Sequence, residues 1–372
     1  MAMAVDWSSL QSELLNLVAD GLLATGDVDY YASLRAVCHS WRDATADPRG
    51  PDPRFRPRSW VMIDSHAEDA QDSRRLFLNI DTGRFVWKEL PVLRDCACLA
   101  TDNDGLLLLQ RPSDCNEISA LNPFTGASIS FPRKYPADAS GGRMVSTGSS
   151  PMVVLCSFHD KQHGAMVDLS SQSAPELIFA AKPALDSFAS VVSCQGRVYA
   201  MDRKGTVAEL GRHWKITTIV DGGWRQEASR PSFLVDNSEE LLVVRPPVPG
   251  KVLQVYAVDL ENRVLRMIKS IGNRAIFVGD RSLSACADGL PTIEANCVYY
   301  IGGVFELEKQ CGIYMHCLED GGREKLIEPI DMQLRPLSLT RILMDYANYG
   351  DMMEPDILAA YAPALFFLLN DE

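Results

Sequence analysis

From residue 59 to about residue 330 the chain is punctuated by turn chemistry at a spacing that few folds accommodate. Runs of five to nine residues rich in Val, Ile, Leu, Phe and Tyr alternate with clusters of Gly, Pro, Asn and Asp, the pattern of strands between tight turns. The runs fall into six groups, over 60–90, 96–131, 152–181, 187–220, 232–269 and 275–329. Their turns are marked by Asp81-Thr82-Gly83, Asn122-Pro123-Phe124-Thr125-Gly126, Gln195-Gly196, Arg203-Lys204-Gly205, Asn237 and Glu261-Asn262. Groups of three or four strands that begin roughly every 35–45 residues have the period of β-propeller blades. A sandwich of about 280 residues would be large for one core, and the helical stretches an α/β fold needs are missing. A ring also hides strand edges, because each blade packs its faces on its neighbours. The repeat is structural rather than literal, with no Trp-Asp pair or Gly-Gly doublet at fixed offsets. The first group is one strand short, and Gln333 to Leu343 is expected to supply that strand and close the ring. The Leu106–Leu109 run and Gly302-Gly303 are expected near the axis.

Ahead of the strands the period changes. Leu10, Leu14, Leu17, Val18 and Leu22 recur at three- and four-residue spacing, one face of a helix. Leu15 and Leu23 lie off that stripe, so this helix has a second apolar face to bury. Gly26 breaks it, and Asp27 can cap a second helix through Tyr30, Tyr31, Leu34 and Val37. His39 to Asp43 fit a short third helix before Pro48. About 40 residues cannot bury a self-sufficient core, so the spare leucines point to a segment completed by another chain. The chain is therefore read as a small all-α unit of three helices followed by an all-β propeller of six blades. The expected divisions are 5–46 for the helices, 47–58 for a Pro/Arg-rich linker, 59–345 for the propeller and 346–372 for a helical tail.

The helical segment resembles a known family. Leu10, Leu14-Leu15, Val18, Leu22, Leu34-Arg35, Val37-Cys38 and Trp41-Arg42 fall where an F-box has its marks. The F-box is the segment by which substrate receptors dock onto the Skp-type adaptor of an SCF (Skp–cullin–F-box) ubiquitin ligase. The resemblance implies that Leu10, Gln11, Leu14, Leu15, Val18, Leu22, Val37, Cys38 and Trp41 contact that adaptor. The family usually opens its first helix with Leu-Pro; here the pair is Leu10-Gln11. Proline suits a first helical turn, where its missing N–H costs nothing, so Gln11 implies weaker docking.

The strand region carries its own resemblance. Ser270-Ile271-Gly272-Asn273-Arg274-Ala275-Ile276-Phe277-Val278-Gly279-Asp280 is similar to the hallmark of plant proteins with the domain of unknown function 295, a KIB-type β-propeller. Ser282-Leu283-Ser284-Ala285 and Asn296-Cys297-Val298-Tyr299-Tyr300 stand where that family has a serine-rich turn and an Asn-Cys strand. Leu121 to Gly126, Phe77 to Phe85 and Leu241 to Arg245 match as well, so the resemblance runs from Trp7 to about Ile330. It departs at Asn273, where the family favours Asp. The large plant branch of this family joins the propeller to an N-terminal F-box.

Composition excludes several classes. The chain of 372 residues is 47% hydrophobic and 23% charged, which is globular rather than disordered. A net charge of −13 argues against nucleic acid, which demands clustered Lys and Arg. Arg49, Arg54, Arg56 and Arg58 form the one basic knot, among prolines, and read as a solvated linker; the sharper reading is a nuclear address. Met1 to Val5 lack a signal-peptide layout. No apolar run reaches the ~20 residues of a spanning helix. Ile357 to Leu369 comes nearest and reads as a docked or partner-binding helix, with no membrane partner expected. The ten cysteines are scattered, and free thiols are expected. Cys96 and Cys98 share a strand face, and His159 and His163 have metal spacing, but neither makes a convincing zinc site.

No catalytic constellation is legible, and no cofactor is expected. A nucleophile elbow, a P-loop and a His-Glu-x-x-His helix are all absent, and Ser140-Gly141-Gly142-Arg143 does not open a helix as a phosphate cradle would. Arg274 reads as a buried structural side chain that fixes a turn. Asp102, Asp104 and Asp114 read as solvated loop acids. The expected function is a non-catalytic substrate adaptor of an SCF-type ligase. It would bind the Skp-type adaptor, through it cullin, and an unknown target protein, in the nucleus and/or cytoplasm. The alternatives are a propeller enzyme or carbohydrate-binding protein with a helical cap, and an interaction protein not docked to a ligase.

Overall fold

The computed structural model describes residue 7 and residues 10–50, 52–63, 73–101, 104–111, 114–131, 152–156, 163–168, 176–181, 188–202, 204–211, 215–222, 232–245, 252–279, 281–302, 312–327 and 338–348. Three helices come first: α1 (Ser12–Ala24), α2 (Val28–Ala36) and α3 (His39–Ala44). Gly26, at φ 72°, lets the chain reverse after α1, a left-handed position that costs glycine nothing. Asp27 then caps α2 by accepting from the Tyr30 N–H at 3.2 Å.

Six sheets follow. Sheet I is β1 (Trp60–Met62), β2 (Arg74–Asn79) and β3 (Phe85–Glu89). Sheet II is β4 (Ala97–Thr101), β5 (Leu107–Arg111), β6 (Asp114–Leu121) and β7 (Ser128–Phe131). Sheet III is β8 (Met152–Cys156), β9 (His163–Asp168) and β10 (Glu176–Ala181). Sheet IV is β11 (Phe188–Cys194), β12 (Arg197–Asp202), β13 (Val207–Leu210) and β14 (Ile216–Val220). Sheet V is β15 (Phe233–Asn237), β16 (Glu240–Arg245), β17 (Gln254–Asp259) and β18 (Val264–Ile268). Sheet VI has five strands in the order β20-β19-β21-β22-β23, from β19 (Arg274–Phe277), β20 (Leu283–Cys286), β21 (Cys297–Gly302), β22 (Gly312–Cys317) and β23 (Arg323–Ile327). Among the described strands every pairing is antiparallel except β19 with β21.

The architecture is a β-propeller, and its packing follows from period-two alternation with both faces apolar. On sheet V, Leu234, Leu241 and Val243 face the core shared with sheet IV. Their neighbours Phe233, Val235, Leu242 and Val244 face the core shared with sheet VI. Outer strands lose one partner face, and β18 is half exposed along its length where β16 is buried. Further cores join sheet I to sheet II and sheet I to sheet VI. Five blades are thus packed face to face in the order II–I–VI–V–IV. Among the described residues the expected six is corrected to these five face-packed blades. The Leu106–Leu109 expectation also shifts: Leu107 to Leu109 lie on the second strand of their sheet, and β4 precedes them at the edge.

Two turns carry a repeat that Trp-Asp pairs or Gly-Gly doublets do not mark. Asn79-Ile80-Asp81-Thr82-Gly83 and Asn122-Pro123-Phe124-Thr125-Gly126 share the form Asn-x-x-Thr-Gly. In each, the Asn side-chain oxygen accepts the N–H groups two and three residues on, at 3.0–3.2 Å. In each, the glycine returns its N–H to the Asn carbonyl, with φ of 73° and 71°. This is an Asx-turn closed by a left-handed glycine, shared by sheets I and II.

The described part of the expected closing strand is a helix. Leu339–Asn348 form α4, because Leu339, Ile342, Leu343, Tyr346 and Ala347 repeat at three- and four-residue spacing rather than two. Leu343, Met344 and Ala347 enter the core between sheets I and VI, and Ile342 packs on Leu76 of β2. Asn348 Nδ2 donates to the Val278 carbonyl at 3.2 Å, and the Arg281 N–H donates to the Ala347 carbonyl at 2.8 Å. Among the described residues sheet I keeps three strands, and its junction with sheet VI is sealed by a helix laid on both. Residues 333–337 and the Ile357–Leu369 stretch lie outside the described residues.

Candidate functional site

The helical unit sorts the predicted contact residues into two sets. Leu15, Ala19, Leu23, Tyr31 and Leu34 form its core, with Leu10, Leu22, Trp41 and Ala44 packed at the edge. That core is completed from within the chain: Phe55 is buried against Tyr31, with ring centroids 5.1 Å apart. Arg35 donates to the carbonyls of Arg42, Thr45 and Ala46 and so ties α2 to the end of α3. The opposite face of α1 is left to solvent. Leu14 is 50% exposed, Leu17 71% and Val18 51%, with Val37 at 60% beyond the end of α2. Trp7 stands beside the helices at 64%, its carbonyl accepting from Trp41 Nε1 at 3.0 Å. Of the predicted contacts, Leu15 belongs to the core, Leu10, Leu22 and Trp41 sit at its edge, and Cys38 is the N-cap of α3. Gln11 is the exposed N-cap of α1, with φ −61° and no side-chain capping bond. Leu17 and Trp7 join the exposed surface without having been named as contacts.

This unit is fastened to the propeller. Val28 of α2 enters the core of sheets I and II beside Trp60, Phe77 and Phe124. Asp29 takes Arg84 Nη2 at 2.6 Å and also pairs with Lys88, both beside the sheet I hairpin. The Arg84 guanidinium lies 3.9 Å from the Tyr30 ring centroid, cation–π distance. The segment expected as a solvated linker is packed too. Arg56 is buried and meets Asp104 at 2.6 Å; Arg58 reaches the same carboxylate at 3.2 Å. Asp104 is therefore a buried anchor rather than a solvated loop acid. Asn122 Nδ2 of the sheet II turn donates to the Phe55 carbonyl at 2.8 Å. Two of the four arginines in the basic knot are thus engaged by Asp104, and Arg54 is engaged by Asp20 and Asp52.

At the same end of the propeller lies a cavity of about 880 Å³. The strands β11, β15 and β20 run side by side, and their ends wall it with Cys194, Asp236 and Ser284; Thr101 of β4 and Trp60 of β1 complete the ring. Its polar groups are cross-linked to one another. Arg274 donates through Nε to Ser284 Oγ at 2.8 Å, through Nη2 to the Ser284 carbonyl at 2.7 Å and through Nη1 to Asp81 at 3.0 Å. The hallmark arginine joins sheet VI to the sheet I turn as a hydrogen-bonded side chain, but it is part-buried at the cavity wall rather than buried as expected. Ser284 Oγ donates to Asn237 Oδ1 at 2.6 Å. Burial pushes the Asp236 carboxyl above the usual range, opposed by the Glu239 N–H and the Cys194 thiol. Burial also pushes the Cys194 thiol up, and the neighbouring carboxylate pushes the same way. A thiol held protonated is a poor nucleophile. Among the described residues, no group of His, Cys, Asp and Glu could hold a metal ion. The His159 and Ser140–Arg143 readings fall outside the described residues.

Sheets packed face to face, with a helical unit fastened to them, define a β-propeller with a docked N-terminal module. The family model of the KIB1-4 β-propeller matches residues 77–315. That span covers more than half of the sequence, and the chain belongs to the KIB1-4 β-propeller family. Among solved structures, TolB from Acinetobacter baumannii is similar at 10% identity with a TM-score of 0.36, over 73% of this chain and 63% of that one. No curated protein matches the chain by sequence.

Proposed function

We propose that this chain is the substrate-recognition adaptor of an SCF-type E3 ubiquitin ligase. The three helices act as an F-box that docks a Skp-type adaptor and, through it, cullin, while the propeller binds a target protein in the nucleus and/or cytoplasm. One observation carries this reading: α1 has a filled apolar face and a second apolar face, Leu14, Leu17 and Val18, left half-exposed or more by the described residues of this chain. Surface helices normally present one apolar stripe. A second stripe beside a completed core fits a partner helix better than the folding of the unit itself. The mechanism is positional, since tethering raises the effective concentration of the target near the ubiquitin-loaded enzyme. The fastening of α2 through Asp29, Arg84 and Lys88 supports it, because a fixed module holds the target in a fixed relation to the ligase. The chain itself would make no bonds.

The test is co-purification with a Skp-type adaptor. Leu14→Ala/Leu17→Ala/Val18→Ala changes exposed residues, so the helical unit keeps its circular dichroism while adaptor capture is lost. Capture that survives the triple substitution would refute the docking surface.

A further inference from the structure

Cys297 and Cys317 stand directly opposite one another on the antiparallel strands β21 and β22. Just beyond them the Leu318 N–H donates to the Asn296 carbonyl at 3.1 Å, which makes 296 and 318 the hydrogen-bonded pair. The next pair inward, 297 with 317, is then a non-hydrogen-bonded pair, whose Cα atoms lie ~4.5 Å apart with side chains closest. A disulfide spans Cα separations of ~4.4–6.8 Å, so the backbone already meets its requirement. Both side chains turn to the same core between sheets I and VI. Their access differs. Cys297 is buried at 1% exposure, whereas Cys317 is partly exposed. Cys286, on neighbouring β20, sits across from Arg274 instead.

We propose that Cys297 and Cys317 are a thiol–disulfide pair oxidised by a peroxide, a modification site on the sheet that carries α4 and one wall of the axial cavity. The Cys317 sulfur meets the oxidant first, because the wall of the core shields Cys297. It attacks one oxygen of the peroxide; the O–O bond breaks, and a sulfenic acid and one water form. The Cys297 sulfur then attacks the Cys317 sulfur. The S–S bond forms, the S–O bond breaks, and the hydroxyl leaves with the second thiol proton as water. Two electrons pass from the thiol pair to the peroxide, and a dithiol returns them through a mixed disulfide. Burial and the adjacent Cys317 hold the Cys297 thiol at a pKa of about 12, which agrees with its place as the second sulfur, acting only on a neighbour already oxidised.

The experiment uses the full chain, purified reduced and treated with hydrogen peroxide, then alkylated, digested and mapped by mass spectrometry. The expected result is a Cys297–Cys317 cross-linked peptide, lighter by two hydrogen atoms than its reduced halves, as the main disulfide, and lost on treatment with dithiothreitol. In Cys297→Ala the resolving sulfur is missing, and Cys317 is expected to advance to sulfinic acid. Recovery of both cysteines alkylated from the oxidised wild-type chain would overturn the proposal. Cross-linking of either one mainly to another cysteine would overturn it as well. Both of these outcomes are read on the wild-type chain, so neither depends on whether the variant folds.

Discussion

Gly279 is the point at which α4 is seated most closely. A Cβ built there would lie 2.3 Å from the Ala347 carbonyl oxygen and 2.6 Å from its carbon, both backbone atoms. Neither is the end of a flexible side chain, so Gly279→Ala must drive α4 off sheet VI by the better part of an ångström. Overpacking of this kind costs ~1–3 kcal/mol. The same displacement stretches the Arg281 N–H to Ala347 bond at 2.8 Å and the Asn348 to Val278 bond at 3.2 Å, each worth ~0.5–1.5 kcal/mol. The expected loss is therefore roughly 2–6 kcal/mol. For a domain of this size that lowers the thermal midpoint by roughly 3–10 °C. Calorimetry on Gly279→Ala reads this directly, and limited proteolysis shows whether residues 338–348 become cleavable. Gly21 provides the opposite case: it lies inside α1 with nothing within 4 Å of its added Cβ. Gly21→Ala should stabilise by ~0.5–1 kcal/mol, the ordinary helix preference. A Gly279→Ala chain that unfolds with the wild-type midpoint and keeps 338–348 protected would refute the seating of α4 against sheet VI.

Other outcomes follow from the same contacts. Asp29→Asn removes the shared partner of Arg84 and Lys88, and hydrogen exchange in α2 should rise by about ten- to a hundredfold if that charge-assisted pairing is worth ~1.5–3 kcal/mol; unchanged exchange would place the fastening elsewhere. Because burial raises the folded-state Asp236 carboxyl, its contribution is present at acid pH and lost as pH rises through that raised value. Asp236→Asn should thus be more stable than wild type at neutral pH, with the gap closing under acid in urea titrations; a gap that widens under acid would reverse the assignment. Burial lowers the His316 imidazole, so the unfolded chain takes its proton first and stability should fall as pH drops below ~6.5, an effect His316→Gln should abolish. Gln11 already holds φ at −61°, the angle proline imposes. Gln11→Pro is therefore expected to bind a Skp-type adaptor about two- to fivefold more tightly by titration calorimetry, and weaker binding would mean that the Gln11 side chain is itself a contact.

How much of the fold is readable from sequence depends on whether the signal is local. Strand groups are legible because turns are written in adjacent residues: Gly83, Gly126 and Gly205 all adopt the left-handed φ their turns require. The Asn-x-x-Thr-Gly repeat is equally local but escapes a search for Trp-Asp or Gly-Gly, neither of which marks an Asx-turn. α4 is hidden for a different reason. A ring with a three-stranded sheet I invites a fourth strand from the segment that follows, although the spacing of Leu339, Ile342, Leu343, Tyr346 and Ala347 is helical. Within α1 the two apolar faces are visible in sequence, yet which one is filled is not. Leu15 is core and Leu14 surface only because Phe55 arrives from 40 positions further along to cover one side.

Charge is the least legible quantity of all, and the reason bears on the site. Arg54, Arg56 and Arg58 among prolines read the same in sequence whether solvated or paired. Asp104, 48 residues from Arg56, carries no mark that it is the partner. A carboxylate and a guanidinium each cost several kcal/mol to bury alone, so the pair is tolerated only because both arrive together. Arg274 and Asp81, 193 residues apart, are paired across the sequence in the same way at a part-buried site. Both pairs join segments that no local rule connects, and both lie around the axial cavity. The walls of that cavity therefore exist only once these sheets have packed together. Losing one partner should disturb the cavity and the attachment of the helical unit together. Asp104 makes this concrete, because it holds both Arg56 and Arg58 and so stands between the propeller and the segment that delivers Phe55 to the helical core.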